Sequence, residues 1–107
     1  MPSDRPETKL PAVVHITKDL LLDLDALYAL IDGEEADQVR DGLVKLIRKM
    51  QRNDIEWSLV EPYGKTGTTM AYGFSDRFIL TFRSITHFDQ DRPVEEHYFL
   101  KNLFGKE

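Results

Sequence analysis

Residues 53–85, NDIEWSLVEPYGKTGTTMAYGFSDRFILTFRSI, decide the fold, because here the apolar rhythm changes from helical spacing to every second residue. Ile55, Trp57 and Leu59 alternate with Glu56 and Ser58, as in a half-buried strand. Residues 61–67, EPYGKTG, hold three chain breakers and read as a loop. Residues 68–74 alternate again, with Met70, Tyr72 and Phe74 on one face. Ser75-Asp76 reads as a short turn into a strand over 77–85. That strand sets Phe78, Leu80 and Phe82 on one face and Ile79, Thr81, Arg83 and Ile85 on the other. So short a link predicts an antiparallel hairpin.

Upstream the spacing is helical. Leu20, Leu24, Leu27, Tyr28 and Ile31 share one face of a helix over 20–31, with Thr17 or Asp19 to cap its start and Gly33 to stop it. The strongest helix lies over 34–52, with Ala36, Val39, Leu43, Leu46, Ile47 and Met50 as its apolar stripe. Glu34, Glu35 and Asp37 stand at its start and Lys45, Arg48, Lys49 and Arg52 at its end, so both ends complement the helix dipole. Gly42 costs about 1 kcal/mol against Ala in mid-helix, which points to close packing. The pair Asn53-Asp54 ends the helix. Earlier still, residues 12–16 (AVVHI) form a brief β-branched strand.

Downstream, 87–92 reads as a polar link and Pro93 as the first residue of a short helix ending at Gly105. The predicted fold class is therefore α+β: two N-terminal helices packed on a three- to four-stranded antiparallel meander, with a short C-terminal helix. Residues 1–10 are expected to be a flexible tail, and 11–107 a single domain.

The composition narrows the function classes. The chain has 107 residues, 41% of them apolar and 31% charged, enough for one core without staples. It has no cysteine, which excludes disulfides, thiolate nucleophiles and Cys-ligated zinc. No run approaches the ~20 apolar residues of a membrane span, and no secretory signal opens the chain, so a cytoplasmic protein is expected. Fourteen basic and 19 acidic residues leave a net charge of −5, which disfavours nucleic acid and favours a basic protein partner.

Motif tests are mostly negative. Gly64-Lys65-Thr66 lacks the earlier glycine of a phosphate-binding loop and is followed by a strand rather than a helix. Lys65-Thr66-Gly67 has no matching Ser-x-x-Lys. Ala71-Tyr72-Gly73-Phe74 departs from the aromatic strand of RNA-recognition domains, so its aromatics read as core. His87, Asp89 and Asp91, followed by Glu95, Glu96 and His97, form the densest set of metal-ligating types. In a helix starting near Pro93, Glu96 and His97 would point to different faces, so no metal site and no cofactor is expected. His15, in a β-branched run, reads as a structural histidine.

The first functional expectation is a small acidic protein-binding module of the inhibitor, immunity-protein, antitoxin or adaptor kind. Its candidate contact residues are Tyr63, Lys65, His87, Asp89, Asp91, Glu95 and Glu96, all expected in loops or at an element start. The second rests on element order, which resembles the architecture of the RelE/ParE toxin family over most of the chain. That resemblance implies an RNA-cleaving enzyme, in which Arg77 and Arg83 would stabilise phosphate charge and His87 would move a proton. The third is a homodimeric accessory protein without catalysis, self-associating through the long helix and the sheet edges.

Overall fold

A computed structural model describes residues 10–65, 68–74 and 77–105. Of the expected tail, residues 1–9 lie outside this description, as do the Ser75-Asp76 turn and Thr66-Gly67. The element order is β1 (Ala12–Ile16), α1 (Lys18–Tyr28), α2 (Gly33–Gln51), a single 3₁₀ turn (Trp57–Leu59), β2 (Val60–Tyr63), β3 (Thr69–Gly73), β4 (Phe78–Asp89) and β5 (Arg92–Gly105). The strands make one five-stranded sheet in the order β1-β5-β4-β3-β2. β1 runs parallel to β5, and the other neighbours are antiparallel.

This corrects the predicted fold class. Among the described residues there is no C-terminal helix: residues 92–105 are the longest strand, and the sheet is mixed rather than an antiparallel meander. The link read over 87–92 is the end of β4 and a two-residue hairpin turn. Gln90 and Asp91 adopt φ of +53° and +69°, the left-handed pair of a type I′ turn. No glycine or asparagine announces that turn, so its signal was hidden. Pro93, one residue inside the strand, sits beside the register shift between His87 and Phe88, where the ladder tolerates a missing N–H. A second correction concerns Trp57 and Leu59, which lie in the 3₁₀ turn, while the next strand, Val60–Tyr63, takes Glu61, Pro62 and Tyr63 from the expected loop.

The two helices form as their patterns require. Thr17 caps α1 by accepting from the Leu20 N–H at 3.3 Å, and its hydroxyl donates to the Leu100 carbonyl at 2.7 Å. One side chain thus starts the helix and extends the β1–β5 pairing. Asp32 caps α2 through the Glu35 N–H, so Gly33 opens α2 rather than stopping α1. At the other end of α2, the Asn53 N–H reaches the Met50 carbonyl and the Asp54 N–H the Lys49 carbonyl, both at 2.8 Å. With Asn53 at φ +52°, this is a Schellman ending. Asparagine does there what glycine could not. Its amide donates to the Leu10 carbonyl at 3.2 Å, and its side-chain oxygen accepts from the Tyr98 hydroxyl at 2.5 Å.

Both helices pack on one face of the sheet. Leu20 of α1 and Val39, Leu43, Leu46 and Met50 of α2 bury against Tyr72, Phe78, Leu80, Phe82, Tyr98, Leu100 and Leu103. A register shift between Thr81 and Phe82 leaves Lys101 as the extra residue on β5, which lets Leu100 and Leu103 both face the helices. Beyond the end of β1, the Asp23 carboxylate of α1 accepts from the Leu103 N–H at 3.0 Å and the Asn102 amide at 3.1 Å, covering that part of the β5 edge. No helix among the described residues is long and apolar enough to cross a membrane.

Two predictions follow from the packing. A Cβ at Gly42 would stand 2.7 Å from the Phe74 ring and 3.2 Å from its carbonyl oxygen. Gly42→Ala should therefore lower stability by on the order of 1 kcal/mol despite the gain in helix propensity, read as a lower urea midpoint at unchanged slope. Burial, with help from the Glu96 charge, pushes the Tyr98 hydroxyl up to about 12 from its ordinary 10. The unfolded chain loses that proton first, so Tyr98's contribution is full below pH 10 and declines towards pH 12. Denaturation midpoints across that window should show the extra decline in the wild type and not in Tyr98→Phe.

Candidate functional site

Strand alternation along β5 sends Glu96, Tyr98 and Leu100 to the helix side and Glu95, His97 and Phe99 to the opposite, open face. The register sets His87 opposite Glu95 and Ile85 opposite His97 on β4. On the other flank, β1 sets Val13 opposite His97 and His15 opposite Phe99. All three histidines of the chain therefore meet on one face, although His15 and His97 lie 82 positions apart.

The cluster is tightly joined. His15 Nε2 lies 2.8 Å from His97 Nδ1, and His97 Nε2 lies 2.7 Å from Glu95 Oε1. The His87 and His97 rings stack at 4.1 Å between centroids, and His15 stacks on Phe99 at 4.3 Å. One proton assignment satisfies both bonds with neutral rings: His15 Nε2–H donates to His97 Nδ1, and His97 Nε2–H donates to Glu95. The side chain of His97 is only 14% exposed, so the polar chain at its centre is largely screened from water. His87, by contrast, is exposed. Donor atoms of His87, Glu95 and His97 all lie within 4.8 Å of one another, a set able to hold a metal ion. The expectation against a metal rested on a helix that is a strand. The pair to weigh is Glu95 and His97, two residues apart on one face. Their period-two spacing was the signal that could have found them.

The remaining sequence candidates separate. Glu96 is buried on the helix side of the sheet, where the hydroxyls of Ser84 and Thr86 donate to its carboxylate, the Thr86 bond measuring 2.7 Å. It is a structural residue and not part of an exposed contact surface. Tyr63 lies on β2 and stacks on Phe104 of β5 at 5.7 Å. The strands between them carry the smaller Ala71 and Thr81, both buried. Lys65 is exposed in the connection after β2, and Asp89 and Asp91 are exposed at the hairpin turn. Arg77, Arg83 and His87 are not brought together. Arg77 precedes β4, pairs with Glu35 of α2 and lies over the Phe78 ring, whereas His87 is about 33 Å further along the strand. The element order behind the RelE/ParE resemblance also loses its C-terminal helix.

Much of the open face is apolar. Val13, Ile85, Tyr63 and Phe104 are exposed on it. Among the described residues β4 has no neighbour but β5 from Arg83 to Asp89, and β5 none but β4 from Arg92 to Glu95, so His87–Asp89 and Arg92–Glu95 pair only with each other and form a hairpin arm. On this arm Phe88 is 63% exposed, and Val94 is exposed too. Compared with protein-family models, curated proteins and solved structures, the chain has no significant match.

The role given to Glu96 is directly testable. Glu96→Ala leaves the half-buried Ser84 and Thr86 hydroxyls without their acceptor, so it should cost about 1 kcal/mol in urea unfolding. Lys65→Ala, exposed after β2, should change stability by well under 1 kcal/mol in the same assay.

Proposed function

We propose that this chain is a small protein-binding module that engages a more basic protein through the hairpin arm and the adjoining open face of the sheet. The observation that carries this reading is the arm itself. It exposes Phe88 and Val94, and it carries the carboxylates of Asp89, Asp91 and Glu95. An apolar anchor rimmed by charge is the anatomy of a recognition surface, and the rim selects a partner of opposite sign. The acidic balance of the whole chain would steer such a partner towards it. Tyr63 and Phe104 extend the surface across the sheet, beside a groove of about 460 Å³ lined in part by Glu61, Tyr63, Ala71 and Ile79.

A second copy of the chain is the competing occupant. The observation favouring it is the pair of arm edges that no other strand covers among the described residues, since backbone groups at such edges accept another strand.

Capture from a native extract, paired with light scattering on the isolated protein, decides between them. The expected result is a monomer that retains one stoichiometric basic partner, with retention weakening as salt rises. Phe88→Ala should weaken that complex by about 2 kcal/mol, roughly thirty-fold. Asp89→Lys with Asp91→Lys should slow its formation, while Asp37→Lys on α2 should leave it unchanged. A stable dimer dissociated by Phe88→Ala would replace the partner reading with self-association. Retention of the same partner by all these variants would sink both.

A further inference from the structure

The geometry points to a binding site for a borderline divalent metal ion of the zinc or cobalt kind on the open face, with His87, Glu95 and His97 as ligands and His15 as the residue that orients His97. This goes beyond the partner surface just proposed and does not depend on it. Three independent features of the fold converge here. The hairpin sets a histidine of β4 opposite a carboxylate of β5. Strand period places His97 two residues further along the same face. The parallel strand β1 then brings His15 against the far nitrogen of His97 at 2.8 Å.

The chemistry of the donors selects the ion. Two imidazole nitrogens and one carboxylate oxygen suit zinc and its first-row neighbours, whereas magnesium and calcium prefer oxygen throughout. Three protein ligands leave a coordination position for water or for an incoming donor. The donor atoms already lie within 4.8 Å of one another. Bonds of about 2.0–2.1 Å in a tetrahedral arrangement place ligand atoms about 3.3 Å apart. Glu95 Oε1 and His97 Nε2, at 2.7 Å, would open slightly to admit the ion, and the exposed His87 is able to turn onto it.

His15 has the place of an outer partner. A ligating histidine holds its ring by donating its second N–H, and here the acceptor is His15 Nε2. Ring stacking on Phe99 fixes His15 in turn. Metal at His97 Nε2 requires the proton of that ring to sit on Nδ1. The hydrogen bond to His15 then reverses, and His15 carries its own proton on Nδ1. Both rings switch tautomer, and the pair keeps two protons before and after. His15 is thus a positioning residue with a spectroscopic signature of its own.

The test uses the full chain without an affinity tag. Zn²⁺ binding is measured by calorimetry, Co²⁺ binding by visible absorption, and the histidine tautomers by ¹⁵N NMR. One equivalent of Zn²⁺ should bind. His87→Ala and His97→Ala should each weaken it roughly 100-fold, and His15→Phe by about 10–100-fold. Asp37→Asn, exposed on α2, should leave it unchanged. On adding Zn²⁺, His15 should pass from the Nε2–H to the Nδ1–H form. His87 is exposed, so His87→Ala keeps the test valid if the His97 variant fails to fold, as circular dichroism would show. Absence of binding, or wild-type affinity in His87→Ala, overturns the assignment of the site. An unchanged His15 tautomer overturns the orienting role.

Discussion

Backbone pairing along the β4–β5 ladder is the constraint on which the other elements depend. β5 hydrogen-bonds to β4 along nearly its whole length and to β1 on its other flank. Its fourteen residues lie inside the sheet, between β1 and β4, although they form the last strand in sequence. β1 has no strand to join until β5 is in place, whereas the β2–β3 pair joins β4 directly. The long hairpin closes with a two-residue turn, so its pairing is local. The β1–β5 contact spans most of the chain and carries a larger loop-closure cost. Thr17 and Asn53 brace that distant contact, one joining α1 to the Leu100 carbonyl and the other joining the end of α2 to Leu10 and Tyr98.

A sheet covered by helices on one side only gives its two faces different chemistry. On the helix side, alternate residues of β4 and β5 form the apolar core, and the polar Glu96 is kept there by two hydroxyl donors. On the open side, the same strands carry histidines, a carboxylate and aromatic rings that are only partly covered. The stacked Tyr63 and Phe104 shelter small residues on one half of that face. The histidine chain occupies the other half. Groups facing water on a rigid sheet keep their spacing without lying in a loop.

Helical periodicity was legible because α2 satisfies it locally. A nineteen-residue amphipathic run with matched terminal charges has one good solution wherever it packs. The alternation of β3 and β4 was also legible, since Met70 and Tyr72 share one face of β3 and Phe78, Leu80 and Phe82 one face of β4. The C-terminal segment was ambiguous. Glu95 and Glu96 after Pro93 imitate a helix start, and the apolar residues 94, 98, 99 and 103 fit a helical face as well as a strand. What settles the choice is the free edge of β4, a partner that no local window contains. The site followed the same course. His87 and Glu95 were picked out as residues of interest, but in a helix they would not have met His97.

The sequence by itself determined the two helices and their apolar stripes, the β3–β4 alternation and the absence of thiol chemistry. Each of these is a property of neighbours in the chain. Only the tertiary structure decided that the last fourteen residues are a strand, that β1 lies parallel beside them, and that His15, His87 and His97 share one face. Those outcomes depend on backbone hydrogen bonds between segments as many as 84 positions apart, and side-chain rhythm carries no record of which strand will lie next to which.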